Sequence, residues 1–207
     1  MEENYIEIPL IGQKKKTYKN GDVYEGSFVN GKREGKGTYI FKNGDKYEGD
    51  FKAGMKDGYG KYTYNNGNVY EGNWKDNEKS GQGVYYFLSH SDFEELRIKD
   101  ITKVCNIYKG DFKDGKFEGN GVVTFKNGDS YEGEFHEDKK EGYGEYHFSD
   151  GKIFKGYFIQ DNFEGEGTMI YKDKSEMKGI YKNSIPVGTH IKTYIDGKVE
   201  EVKFNDL

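Results

Sequence analysis

The 207-residue chain has 30 glycines, 16% aromatic residues, only 33% hydrophobic residues and a net charge of -5, with Lys and Arg mixed among Asp and Glu. Mixed charge of that sign excludes the basic face of a nucleic-acid binder, and abundant rings exclude a disordered composition. The shortage of aliphatic side chains excludes a thick aliphatic core, so rings laid over a sheet must supply most of the apolar burial.

The N-terminal stretch Met1 to Lys16 has no basic-then-apolar leader layout, and no run approaches membrane-spanning length. The expectation is a soluble, cytoplasmic protein, with export by a non-classical route left open. Residues 1–23 hold the second half of a unit whose first half is worn, as in the terminal cap of a repeat array. Its one basic run, Lys14-Lys15-Lys16, is either a solubilising edge or a contact for acidic lipid.

The stretch Tyr24 to Lys46 is then restated at a period of 23 residues. Units start at Tyr24, Tyr47, Tyr70, Tyr108, Tyr131 and Phe154, with a degraded one at Met177, so the array spans 24–199 and the tail 200–207. Self-similarity at fixed period marks a stacked array and outranks any local motif. Within a unit Tyr24, Gly26 and Phe28 alternate onto one strand face. After a six-residue connection, Gly35, Gly37, Tyr39 and Phe41 share a face of a second strand. Each unit is therefore a β-hairpin, and the Gly-x-Gly pair gives the rings a floor without side chains. For Tyr39 to meet Tyr47 on the ring face, the loop between units needs an odd number of residues. Lys42-Asn43-Gly44 with a left-handed Gly44 satisfies this.

The spacing from Tyr70 to Tyr108 is 38 residues, which leaves an insertion at about 89–107. Ser91 to Val104 has capping-box and near-helical spacing, while Ile101 to Ile107 is rich in β-branched residues. A short helix and a longer hairpin both fit. The insertion carries Cys105, the only cysteine. No internal disulfide is possible, so Cys105 is either a reduced thiol or an inter-chain bridge. The last unit keeps Gly179, Tyr181 and Gly188 but has His190 at the second glycine and Pro186 in its second strand, which suits an edge. Lys198 to Phe204 forms one more strand.

The fold class expected is all-β: an elongated, single-layer antiparallel sheet of stacked hairpins with a concave ring-lined face. About 14 strands at about 4.8 Å would make it near 65 Å long. Histidines His90, His136, His147 and His190 do not have metal-ligand spacing, no phosphate loop opens a helix, and no carboxylates pair in an apolar setting. No enzyme and no cofactor is expected. The candidate partner groove is the ring row Tyr24, Phe28, Tyr47, Phe51, Tyr70, Trp74, Tyr108, Phe112, Tyr131, Phe135, Phe154 and Phe158. An uncovered apolar face of this kind would take a protein or peptide.

The pattern YEGxFxxGxxxGxGxxxxxNGxxY, nearly letter for letter at Tyr24, Tyr47, Tyr70 and Tyr131, resembles the MORN (membrane occupation and recognition nexus) repeat. Departures are local: Lys109 and Lys155 for Glu, Phe154 and Met177 for Tyr, and Ser149-Asp150-Gly151 at one turn. The resemblance implies a non-catalytic scaffold, cytoskeletal or membrane-adjacent, that forms dimers or larger assemblies through terminal repeats. Here those point to Met177, Tyr181, Val199, Val202 and Phe204. The family name adds acidic phospholipid as the alternative ligand, with Lys14, Lys15 and Lys16 as its contact.

Overall fold

The computed structural model describes residues 12–88 and 105–205. They form one open antiparallel sheet of sixteen strands in strict chain order. The strands are β1 (Gly12–Thr17), β2 (Val23–Val29), β3 (Lys32–Ile40), β4 (Lys46–Lys52), β5 (Met55–Thr63), β6 (Val69–Lys75), β7 (Glu78–Phe87) and β8 (Asn106–Lys113). They continue as β9 (Lys116–Thr124), β10 (Ser130–His136), β11 (Lys139–His147), β12 (Ile153–Ile159), β13 (Asn162–Ile170), β14 (Glu176–Lys182), β15 (Ile185–Thr193) and β16 (Val199–Phe204). The expected strand number rises because the half-unit before Tyr24 and the tail each add a strand.

Between units the register is as the parity argument requires. Tyr39 faces Tyr47 and Gly37 faces Gly49. The connection is the three-residue loop: the Phe41 amide donates to the Asp45 carbonyl at 2.9 Å, the Gly44 amide donates to the Phe41 carbonyl at 3.0 Å, and Gly44 has φ +94°. Gly44 is needed there because a Cβ disfavours that left-handed backbone.

Within units the structure corrects the six-residue connection. The turn is only two residues, Asn30–Gly31, with φ 48° and 74°, the mirror-image turn that matches strand twist. The second strand therefore starts at Lys32, and Arg33 faces Phe28. The ladder then jumps. Gly26 faces Gly37, so Glu34, Gly35 and Lys36 bulge opposite Ser27. The two glycines of the pair consequently do different work. Gly35 takes the left-handed bulge position at φ +66°, with open space where a Cβ would be, whereas Gly37 lies under the Tyr24 ring.

The insertion does not interrupt the sheet. Tyr85 of β7 faces Tyr108 of β8, and Gly83 faces Gly110, in the register of the uninterrupted units. The helix reading of the insertion falls on residues 91–104, outside those described; of the longer-hairpin stretch Ile101 to Ile107 only 105–107 are described, and there Asn106 and Ile107 begin β8 opposite Phe87 and Tyr86.

The core is a single layer of rings on one face. An edge-to-face chain runs Tyr24–Phe51 (5.1 Å), Tyr47–Trp74 (5.3 Å), Tyr70–Phe112 (4.8 Å), Tyr108–Phe135 (5.0 Å), Tyr131–Phe158 (4.8 Å) and Phe154–Tyr181 (5.0 Å). Such pairs each add about 0.5–1.5 kcal/mol beyond area burial. Every link joins neighbouring units, so the layer ties the array together from end to end.

Candidate functional site: a ring face with a row of cations

Each unit-leading tyrosine folds flat over two glycines. A Cβ on Gly37 would lie 2.5 Å from the Tyr24 hydroxyl oxygen and 2.6 Å from its Cε2. The bulge leaves a main-chain carbonyl without a ladder partner, and the ring's own hydroxyl donates to it. These bonds are Tyr24 Oη to Ser27 O (3.0 Å), Tyr47 to Asp50 (2.9 Å), Tyr70 to Asn73 (2.7 Å), Tyr108 to Asp111 (2.8 Å) and Tyr131 to Glu134 (2.9 Å). Phe154 has no hydroxyl to give.

The structure brings the twelve predicted groove rings together on one face, but it buries them. Tyr24, Tyr47, Tyr70, Tyr108, Tyr131 and Phe154 are 0% exposed, and the most exposed of the rest, Phe28, reaches 9%. They are the floor of the face. What solvent meets is a second rank packed on them, including Tyr39, Phe41, Tyr64, Tyr85, Tyr146 and Phe148.

A column of side chains from the second strand of each hairpin crosses that rank. The short turn places Arg33, Lys56, Lys79, Phe117, Lys140, Phe163 and Pro186 opposite Phe28, Phe51, Trp74, Phe112, Phe135, Phe158 and Tyr181. Phe117 stacks on Tyr108 at 3.8 Å and Phe163 on Phe154 at 3.9 Å. The cations occupy the same place over other rings. Lys56 Nζ is 4.1 Å from the Trp74 centroid and 4.8 Å from Tyr62, and the Arg33 guanidinium is 4.8 Å from Tyr39. Burial pulls the Lys56 ammonium down to about 8, and lowers Lys79 in the same sense. A shallow cleft of about 250 Å³ opens here, lined by Arg33, Tyr39, Phe41, Tyr47, Phe51, Lys56 and Asn77.

One margin of the face is stitched by the carboxylate two residues before Tyr24, Tyr47 and Tyr131, a place that Asn68 and Asn106 take before Tyr70 and Tyr108. Asp22 accepts from Tyr39 Oη at 2.7 Å and from the Lys42 amide at 2.9 Å. Asp45 repeats this with Tyr62 (2.7 Å) and Asn65 (2.8 Å), and Asp129 with Tyr146 (2.8 Å) and Ser149 (2.8 Å). The Tyr39 and Lys42 bonds hold Asp22 below the usual carboxylate range. For Asp45 burial pushes upward, yet the bonds from Tyr62 and Asn65 outweigh it and leave the carboxyl low. Burial and then the Asp22 bond push the Tyr39 hydroxyl up to about 12.

The other predicted residues are scattered. Lys14 and Lys16 face Gly26 and Tyr24 on the ring side, while Lys15 faces Glu25 on the other, so strand alternation splits the basic run. Cys105 is buried at 1% exposure, just before β8. Met177 and Tyr181 belong to β14, an interior strand, and are buried, whereas Val199, Val202 and Phe204 lie on β16 at the end of the strand order. Among the described residues no three His, Cys, Asp or Glu side chains gather to hold a metal ion, and no helix is long and apolar enough to cross a membrane.

The cation column was not predicted. Its signal was present as the ninth residue after each leading ring: Arg, Lys, Lys, Phe, Lys, Phe, Pro. A six-residue connection would have put that position in a loop.

The MORN repeat family model matches residues 24–46, 47–69, 70–91, 108–130, 131–153 and 154–176. The comparison with curated proteins gives no match. Among solved structures, the sheet is similar to the TCP10 domain of Danio rerio CPAP. The TM-score is 0.53 at 15% identity, covering 92% of this chain and 83% of that one. A Drosophila melanogaster SAS-4 TCP domain in complex with a proline-rich motif of Ana2 has a TM-score of 0.49 at 16% identity, covering 93% and 90%. The Danio rerio domain in complex with a STIL peptide has a TM-score of 0.49 at 16% identity, covering 93% and 84%. Likeness at this level concerns the fold alone.

Proposed function

The chain belongs to the MORN repeat family, and from that premise we propose that it is a non-catalytic scaffold whose ring face holds a protein or peptide partner. The observation that carries this reading is the second rank of rings, which packs against the buried first rank and has no covering layer among the described residues. A half-exposed aromatic surface on a rigid sheet offers anchors at low ordering cost. We place the scaffold at a cytoskeletal or membrane-adjacent site and have it self-associate through the open edge of β16, where Val199 is exposed. Burial of Cys105 weighs against a disulfide-linked assembly, because the thiol would have to be uncovered first.

Peptides selected from a random display library on the immobilised protein provide the test. Enriched peptides should bind at least about tenfold more weakly when Tyr39, Tyr64 and Tyr85, all of the half-buried second rank, are together replaced by Ala. Equal binding to that variant would remove the ring face as the site. Light scattering over a concentration series, with and without reductant, tests the assembly. A mass above the monomer, insensitive to reductant and lost on Val199→Lys, is expected.

A further inference from the structure

Resting on the ring-face reading, we infer that Arg33, Lys56 and Lys79 form a track for an acidic, extended partner segment with a carboxylate at every third residue. The three cations repeat with one geometry. Each sits over the tyrosine six residues further on, at 4.8 Å for Arg33–Tyr39, 4.8 Å for Lys56–Tyr62 and 4.9 Å for Lys79–Tyr85. The next unit breaks the pattern at both positions, with Phe117 and Val123 in place of the cation and the tyrosine. The track is therefore three units long and belongs to the N-terminal half of the sheet.

Among the described residues these cations make no ion pair, whereas Lys140 in the same column pairs with Asp161 at 3.2 Å. Arg33 instead donates to the Gly54 carbonyl, through Nε at 3.1 Å and also through Nη2. Cations half-buried over ring faces have lost part of their hydration, and an incoming carboxylate restores it in a strong, charge-assisted form.

Width and spacing select the occupant. The row is one cation wide, with Glu78 acting on both Lys56 and Lys79 and Asp45 and Asp138 acting on one each. A broad anionic surface would meet those carboxylates, but a single chain can thread between them. Successive cations are two strands apart, about 9.6 Å. A polyproline II segment advances about 9.3 Å in three residues and completes one turn in doing so, which presents every third side chain on one face. A β-strand would turn every third residue to the opposite face. A helix would match only at every seventh residue, with a larger drift per unit. Prolines between the acids would lie on the half-buried rings Tyr39, Tyr64 and Tyr85, as extended proline segments do on aromatic grooves.

The test measures fluorescence anisotropy of a labelled peptide of repeated Pro-Pro-Glu triplets. Its comparison peptides are the Pro-Pro-Gln analogue and an isomer with all glutamates at one end. The triplet peptide should bind about tenfold tighter than either, and Arg33→Gln/Lys56→Gln/Lys79→Gln should lose about tenfold, with the loss reproduced by raised salt. Thermal melting of the variant checks that it is folded, and the single change Lys56→Glu gives a second reading. Equal binding of the three peptides, or full binding by the variant, would overturn the track. Cation-dependent recruitment to phosphatidylserine vesicles with no triplet binding would reassign it to a membrane. If library-selected peptides bind through Tyr39, Tyr64 and Tyr85 while the triplets do not, the acidic track fails and the ring face stands. If neither class binds, both readings fail.

Discussion

The unit at Tyr70 and the unit at Met177 fill the same space from opposite strands. In the first, the Tyr70 ring lies over Gly72 and Gly83 and its hydroxyl donates to the carbonyl of Asn73, three residues on. In the second, Met177 stands where the ring should start, and His190 stands where the second glycine should be. The fully buried imidazole lies against Gly179, and its Nε2 is 2.9 Å from the carbonyl of Ile180, again three residues after the leading position. A carbonyl only accepts, so Nε2 carries the proton. Tyr181 and Phe204 close over the imidazole edge-on at 5.1 and 4.9 Å. The unit that looks degraded in sequence is complete in packing. The sheet requires a flat ring over glycine, which either strand can supply, and the ring also carries a donor for the carbonyl three residues after the leading position in every unit but that of Phe154.

Four measurements press on that equivalence. Gly83→Ala puts a Cβ 2.5 Å from Tyr70 Cε2 with no room to retreat, so a loss of about 3 kcal/mol is expected in urea unfolding. Gly179→Ala should cost as much, because the imidazole fills its slot equally; a benign Gly179→Ala would show the last slot to be loose. Next comes the exchange itself. Met177→Tyr overfills the slot and His190→Gly empties it, each costing about 2–3 kcal/mol. The double variant should return to within about 1 kcal/mol of the parent, a coupling that additive costs would contradict.

Removing the hydroxyl alone is milder. Tyr70→Phe should cost about 1 kcal/mol, and Phe154→Tyr should recover no more than that. The smallest effect is acid dependence along the stitched margin. Asp22, Asp45 and Asp129 are all held below their ordinary value of 3.8. The stability they contribute is present above that value and is lost as pH falls through the lower folded values. Asp45→Asn should flatten the acid limb of a stability–pH curve, and an unchanged limb would show that Asp45 is not responsible.

Much of this was legible because strand alternation is a strict rule. The period, the ring face, the pairing of Tyr39 with Tyr47 and the left-handed Gly44 all follow from parity. Parity also explains the miss. A bulge of three residues opposite one adds two residues to a strand, and two residues leave every later side chain on its original face. A long loop and a short turn with a bulge therefore share one pattern, and with the bulge hidden, the position of Arg33, Lys56 and Lys79 was hidden too. His190 was misread for another reason, since a substitution at one glycine is compensated on the neighbouring strand, 13 residues away from Met177.

By itself the sequence determined a stacked antiparallel sheet with one aromatic face, because a fixed repeat and a period-two alternation admit few other packings. Tertiary structure alone decided which rings are floor and which are surface, since rings on neighbouring strands compete for the same space and the one lying on glycine goes under. It also decided where the cations sit. Their place depends on the turn length and the bulge, which are set by how each hairpin docks on the one before it.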